Sequence, residues 1–372
     1  MTDNEIVAWI RLQRIPGIGP IHGGRLVQYF DGVQGIFAQS VRDLVQLAGV
    51  GPVMAERILN HTYQTEAEDQ YRRILKHGIQ CLTRSDLAYP ELLKECPDAP
   101  LLLYQKGSLS FSGRYLLSIV GTRSMTDYGR RVCEELIKGL VPYNPVIVSG
   151  LAYGVDILAQ RTALKLGLDT VSCLGHGLER IYPGRHARFV PEILEKGALL
   201  SEFGLGTPVE PMNFVKRNRI IAGVAPATVV IESGPKGGSL ITADLAFGYD
   251  REVFAVPGRA TDRFSAGCNF LIGKHKAQLL CSPEQLVDAL QWHTAPQRLE
   301  DLTQKKRIQR QGTLTPEENR ICEFLAANGI QLLDEIALSC LLSVQETAAV
   351  LFQLEMKELI RPYPGKRFEL TG

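Results

Sequence analysis

LLSIVGTRSMTDYG, residues 116–129, decides the fold. Its apolar run, Leu116 to Val120, reads as a buried strand that breaks at Gly121, and Thr122-Arg123-Ser124 form a short polar loop. A helix-period series follows, with Tyr128, Val132, Leu136 and Leu140 on one face. Strand, glycine turn and helix in that order present backbone N–H groups and a helix N-terminus to an anion. An arginine inside the turn points to phosphate groups as that anion.

Working outward, strands fall at 116–120, 146–149, 170–174, 198–201, 227–232 and 252–256, with amphipathic segments between most of them. This rhythm predicts an α/β fold with a parallel sheet covered on both faces. Loops leaving the C-terminal ends of such strands share one rim, where ligands bind. Five of them carry glycine or serine: Gly121–Ser124, Ser149-Gly150, Gly175–Gly177, Ser201–Gly204 and Ser233-Gly234-Pro235-Lys236-Gly237-Gly238-Ser239. One such loop is an ordinary tight turn; five together favour close backbone approach to a ligand. The segment NFVKRNRIIAG adds Lys216, Arg217 and Arg219, with Asn218 between them, at what reads as the start of a helix. Runs of this kind are usually solvated faces. The apolar continuation Ile220-Ile221-Ala222 and the place between two rim strands favour a phosphate-binding role here. Phe214, Tyr153 and Tyr182 are candidates to stack on a base.

The 372-residue chain carries a formal charge of +1, so nucleic-acid binding needs a local basic patch. Its eight cysteines are scattered, with no CxxC pair and no metal-ligand spacing, as in a reduced cytoplasmic protein. No run reaches transmembrane length, and the start has no leader pattern, so no membrane role is expected. Four segments are expected: a helical domain at 1–62, the sheet domain at 63–292, a polar linker at 293–313, and a small domain at 314–372. The first contains LQRIPGIGPIHGGRLVQYF and LVQLAGVGPVMAERIL, which resemble a pair of helix-hairpin-helix (SAM-like) units whose hairpin amides meet DNA phosphate. The last reads as three helices and a hairpin around Pro364-Gly365, a winged helix. Its third helix carries Glu346, Glu355 and Glu358 against Lys357, which favours protein contact over groove reading.

Three familiar phosphate readers fail. The first turn has only Gly121 and the second strand ends in Ser149-Gly150, so the dinucleotide fingerprint is missing; GPKGGSLIT lacks Gly-Lys-Ser/Thr; and no GxSxG occurs. The chain resembles the bacterial DprA (Smf) family through IVGTRSMTDYG, VIVSGLAYGVDILAQRTAL, LGHGLERIYP, LLSEFGLGTPVEPMNFVKRNRIIAG, VVIESGPKGGSLITADLA and REVFAVPG. It departs from the family pattern at Val215, at His186 and in GKHKA. The resemblance implies an extended Rossmann-like domain that binds single-stranded DNA, forms a homodimer and helps load RecA recombinase during natural transformation. It also implies DNA-binding roles for Arg123, Lys216, Arg217 and Arg219. With the rim glycines and serines, the full candidate set adds Gly121, Thr122, Ser149, Gly150, Asn218, Gly238 and Ser239; no cofactor and no metal is expected. Apolar residues late in the sheet domain (Leu271, Ile272, Leu286, Val287, Leu290) are candidates for a dimer surface. The competing class is a lysine-decarboxylase-like nucleotide phosphoribohydrolase, built on a similar core. There Thr242 stands where the catalytic glutamate would be, leaving Glu202 and Glu232 as substitutes, so a non-enzymatic role is expected.

Overall fold

The computed structural model describes residues 2–293, 314–357 and 359–370. They form two compact units that divide between residues 296 and 297. The expected linker lies outside the described residues except for His293, as does Glu358.

The first unit begins with helices α1 (Asp3–Arg14), α2 (Pro20–Tyr29), α3 (Val33–Phe37), α4 (Val41–Leu44), α5 (Pro52–Leu59) and α6 (Thr62–Lys76). The two glycine hairpins share one geometry. Gly17 (φ 92°) and Gly49 (φ 95°) are left-handed, and Gly19 and Gly51 cap helices that open with Pro20 and Pro52. This segment is fastened to the rest of the unit. Helix α1 packs along α6, and the Gln13 side chain donates to the Glu202 carbonyl at 2.7 Å. Gly23 exists for the same reason: a Cβ there would lie 2.2 Å from Leu101 Cδ1.

The sheet begins with an antiparallel pair, β1 (Gln80–Thr83) and β2 (Leu102–Gly107), joined through α7 (Glu91–Glu95). Parallel strands follow: β3 (Leu116–Val120), β4 (Val146–Ser149), β5 (Thr170–Cys173), β6 (Gly197–Ser201), β7 (Ala227–Val230), β8 (Glu252–Ala255) and β9 (Gln278–Leu279). Between them run α8 (Asp127–Leu140), α9 (Val155–Lys165), α10 (Val190–Lys196), α11 (Pro211–Val224), α12 (Gly238–Gly248) and α13 (Ala266–Gly273), with α14 (Pro283–Leu290) closing the unit. The spatial order is β1-β2-β6-β5-β4-β3-β7-β8-β9. The stretch LLLYQKG, residues 101–107, thus carries a sheet strand that pairs antiparallel with β6.

All five residues of β3 are buried, and they feed two cores by the two-residue alternation of a strand. Leu116 and Val120 join a cluster with Ile220 and Ile221 of α11, whereas Leu117 and Ile119 join one with α8 residues Leu136 and Ile137. Burying each such side chain contributes about 1.5–3 kcal/mol. Ser118, between them, is satisfied by donating to the Ile221 carbonyl at 2.6 Å. The sheet grows from β3 through β4 to β6 on one side and through β7 to β9 on the other. The turns after β3 and β7 therefore flank a topological switch point, where open α/β sheets leave a crevice. After α14, Trp292 stacks on Tyr115 with ring centroids 4.8 Å apart.

The second unit holds α15 (Pro316–Asn328), α16 (Leu333–Ser339) and α17 (Val344–Met356), with a sheet ordered β10 (Gln331–Leu332), β12 (Arg367–Leu370), β11 (Ile360–Tyr363). This is the expected winged helix. Thr315 and Glu318 form a capping box at the start of α15, and buried Glu318 is paired with Lys357 at 2.7 Å. The exposed side of α17 carries Phe352, Met356, Glu346 and Glu355.

Candidate functional site

The turn after β3 is held from both sides. The Thr122 N–H donates to the Glu232 carbonyl at 2.8 Å, and the Val155 N–H donates to the Thr122 carbonyl at 3.2 Å. The Glu232 carboxylate, 1% exposed, accepts from the Thr126 N–H at 2.9 Å and from the Thr126 hydroxyl. Thr126 in turn caps α8 by accepting from the Gly129 N–H. Gly154, at φ 76°, passes beneath the turn; a Cβ there would lie 2.1 Å from the Thr122 carbonyl oxygen. With the backbone fixed, Arg123 is exposed and makes no ion pair or hydrogen bond among the described residues.

Beside Arg123 opens a cavity of about 680 Å³. Gly121, Thr122 and Arg123 form one wall, and Ala152 and Asp156 come from the segment after β4. Helix α11 contributes Phe214, Arg217 and Asn218, while Gly238 and Ser239 contribute the start of α12. First-turn amides of a helix have no acceptor within it, and with the dipole they favour an anion at that end. Tyr182 completes the mouth, its ring 5.7 Å from that of Phe214.

Arg217 is the second cation of the cavity and differs from Arg123 in kind. It is 4% exposed, and its Nη1 donates to the Cys173 carbonyl at 2.7 Å. Burial lowers its pKa, and the charge of Asp156 acts in the opposite sense. Burial likewise raises the Asp156 pKa against the pull of Arg217 and of the backbone amides it accepts from, Gly150 N–H among them at 3.1 Å. Gly150 makes the arrangement possible, because a Cβ there would lie 1.8 Å from Arg217 Nη1.

The sequence-derived candidates divide accordingly. Gly121, Thr122, Arg123, Arg217, Asn218, Gly238 and Ser239 line the cavity; Ser149, Gly150, Lys216 and Arg219 do not. Ser149 is buried and donates to the Ile119 carbonyl at 2.6 Å, and Gly150 acts by leaving room. The basic run does not open its helix, because α11 starts at Pro211 and places residues 216–219 across its second and third turns. At about 100° per residue, Arg219 lies about 200° around the helix from Arg217. There it pairs with Glu202 and donates to the Asp98 carbonyl, while Lys216 is exposed. Sequence reasoning passed over Asp156, whose signal was a lone acid at the head of the apolar stretch Val155–Ala159. Of the carboxylates weighed for catalysis, Glu202 serves Arg219 and Glu232 serves Thr126, and neither lines the cavity; Thr242 does. Among the described residues, no cluster of three or more His, Cys, Asp or Glu is placed to hold a metal. No single described helix is long and apolar enough to cross a membrane.

A Rossmann-like sheet with a basic, glycine-lined cavity at its switch point, preceded by tandem glycine hairpins and accompanied by a winged helix, defines a multidomain α/β protein of the nucleic-acid-handling kind. The chain belongs to the DNA recombination-mediator protein A family, whose profile matches residues 80–291. The DprA winged helix domain matches residues 305–366, and a helix-hairpin-helix motif matches 32–61. The protein Smf of Synechocystis is 31% identical over 99% of this chain and 100% of its own. The X-ray structure of DNA processing protein A from Streptococcus pneumoniae, 30% identical, superposes with a TM-score of 0.67 over 79% of this chain and 99% of that one. A structure of DNA processing protein A from Helicobacter pylori, described by its single-stranded DNA binding mode, is 28% identical with a TM-score of 0.52 over 58% and 97% of the two chains.

The Gly150–Arg217 fit is testable by a double-mutant cycle in urea unfolding. Gly150→Ala is expected to cost about 1–3 kcal/mol by overpacking, and far less in an Arg217→Met background. Additive effects would show that the two positions do not share this space.

Proposed function

We propose that the chain binds single-stranded DNA without sequence preference at this rim. In this reading it protects incoming strands during natural transformation and recombination and helps load RecA recombinase on them. The observation that carries the reading is Arg123: a free, exposed arginine on a rigid turn at the mouth of a cavity backed by the buried guanidinium of Arg217. Phosphate supplies the charge complement of Arg123 and of the α12 amides, and an unpaired base matches the ring faces of Tyr182 and Phe214. Family membership and the single-stranded DNA binding mode described for the Helicobacter pylori relative support it. The RecA role rests on the family resemblance alone. A cytoplasmic setting is part of the proposal, and eight free cysteines are in keeping with it.

We assign the cavity no catalytic role. Asp156 is its only lining carboxyl group among the described residues, and it accepts backbone N–H groups and faces Arg217. A homodimer is also proposed, with a revised surface. Leu271, Leu286 and Val287 are core residues, so they cannot supply it. Leu279 of the short edge strand β9 and Phe270 of α13, 46% and 53% exposed, take their place.

Arg123→Ala is expected to weaken binding equally for all single-stranded sequences and to lower the slope of log affinity against log salt by about 0.7. Fluorescence anisotropy across a salt series reads both, and an unchanged affinity and slope would remove Arg123 from the site. Phe270→Asp with Leu279→Asp is expected to give monomers by light scattering and weaker binding to long strands, because the second rim no longer acts at high effective concentration. A wild-type monomer that binds long strands tightly would refute the dimer. Incubation with nucleoside monophosphates is expected to release no free base by chromatography; release abolished by Asp156→Asn would restore the phosphoribohydrolase reading.

A further inference from the structure

The rim carries a second feature beside the cavity. Tyr153 immediately follows the cavity-lining Ala152 and is 44% exposed; Tyr182, at the mouth, is 47% exposed. Tyr153 stands edge-on to His186, ring centroids 4.9 Å apart, and His186 Nδ1 lies 2.8 Å from the Leu151 carbonyl oxygen. The aromatic line continues from His186 to Phe189 at 6.2 Å. Phe189 has Arg161 and Arg188 against its ring, at 4.9 and 4.7 Å from the centroid. Arg161, Arg185 and Arg188 are exposed and form no ion pair among the described residues.

We propose that this ridge is a second single-strand subsite, along which the strand continues after leaving the cavity. Bases stack on Tyr182 and Tyr153, and phosphates meet Arg185, Arg188 and Arg161. The assignment extends the single-stranded DNA reading given above and rests on it. Three properties carry it. First, aromatic faces interleaved with unpaired arginines match a flexible strand whose bases are exposed; a duplex hides its base faces. Second, the ridge is pre-ordered. Contact with Phe189 restrains two of the arginines, and His186 props Tyr153, so less side-chain freedom is lost on binding. Third, the ridge adjoins the cavity: Tyr153 follows the cavity-lining Ala152, and Arg185 comes three residues after the cavity-lining Tyr182.

The test uses the full chain and two oligothymidylates, one of about four nucleotides and one of about twenty, which bracket the span that one single-strand groove covers. Tyr153→Ala is expected to weaken the long oligonucleotide by about tenfold, within the range that loss of one stacking platform produces. The short one, held in the cavity, changes less than about twofold. Tyr153→Phe keeps the ring and restores long-strand affinity. Arg185→Ala with Arg188→Ala lowers the salt slope of the long oligonucleotide by about 1.4, that is 0.7 per lost contact, and leaves the slope of the short one alone. Equal losses on both lengths would place these residues in the cavity site or in its folding and overturn the ridge. No loss on either length would overturn it too. Arg123→Ala separates the two readings: it weakens both lengths if the cavity reading holds. If it changes neither while Tyr153→Ala still weakens the long strand, the cavity reading fails and the ridge stands.

Discussion

The buried carboxylate of Glu232 fastens the two sides of the switch point to each other. It follows β7, and by backbone and side chain it holds Thr122 and Thr126 of the turn that follows β3. A carboxylate taken out of water is tolerated only when its oxygens are satisfied, and here the cap of α8 satisfies them. The lack of a side chain at Gly129 completes the arrangement, since a Cβ there would lie 2.4 Å from Glu232 Cδ. The position of Arg123, the start of α8 and the separation of the two cavity walls all follow from this one clamp.

Around that clamp, three arginines close in sequence or in space meet three fates. Arg123 is solvated and free, Arg217 is enclosed and partly balanced by Asp156, and Arg219 is spent on Glu202 and Asp98. Residue type does not distinguish them; helix phase and the partner wall do. The Arg219–Glu202 pair, with side chains 10% and 14% exposed, is weak evidence for stability, since desolvation offsets much of the attraction. The pair joins α11 to the segment after β6, and a separate bond from Arg219 to the Asp98 carbonyl joins it to the segment around Asp98.

The sheet was legible because strands covered on both faces write themselves as continuous apolar runs ended by glycine, as in Leu116–Gly121 and Val146–Gly150. The winged helix was legible from its succession of three helices and a hairpin around Pro364-Gly365, and a capping box of Thr315 and Glu318 opens the first of those helices. The partition of Lys216 to Arg219 was not, because a charge run looks the same whichever way each side chain turns. The role of Gly150 was also hidden, being set by Arg217, a residue of a different helix. The late apolar stripe suffered the opposite confusion: Leu271, Leu286 and Val287 read equally as surface or core, and packing against the sheet settles them as core.

The way Gly23 receives Leu101 bears on how this architecture can be altered. Val7 and Ile10 of α1 share a cluster with Leu102, Tyr104 and Leu199 of the sheet, and the Tyr104 hydroxyl donates to Gln13 at 2.7 Å. A cut at residue 62 would strip these side chains of their cover and leave the Tyr104 hydroxyl without that acceptor. The helical segment is therefore no portable cassette. Transplanting it between relatives would require carrying Leu101 and strand β2 along, because the two surfaces are packed as one.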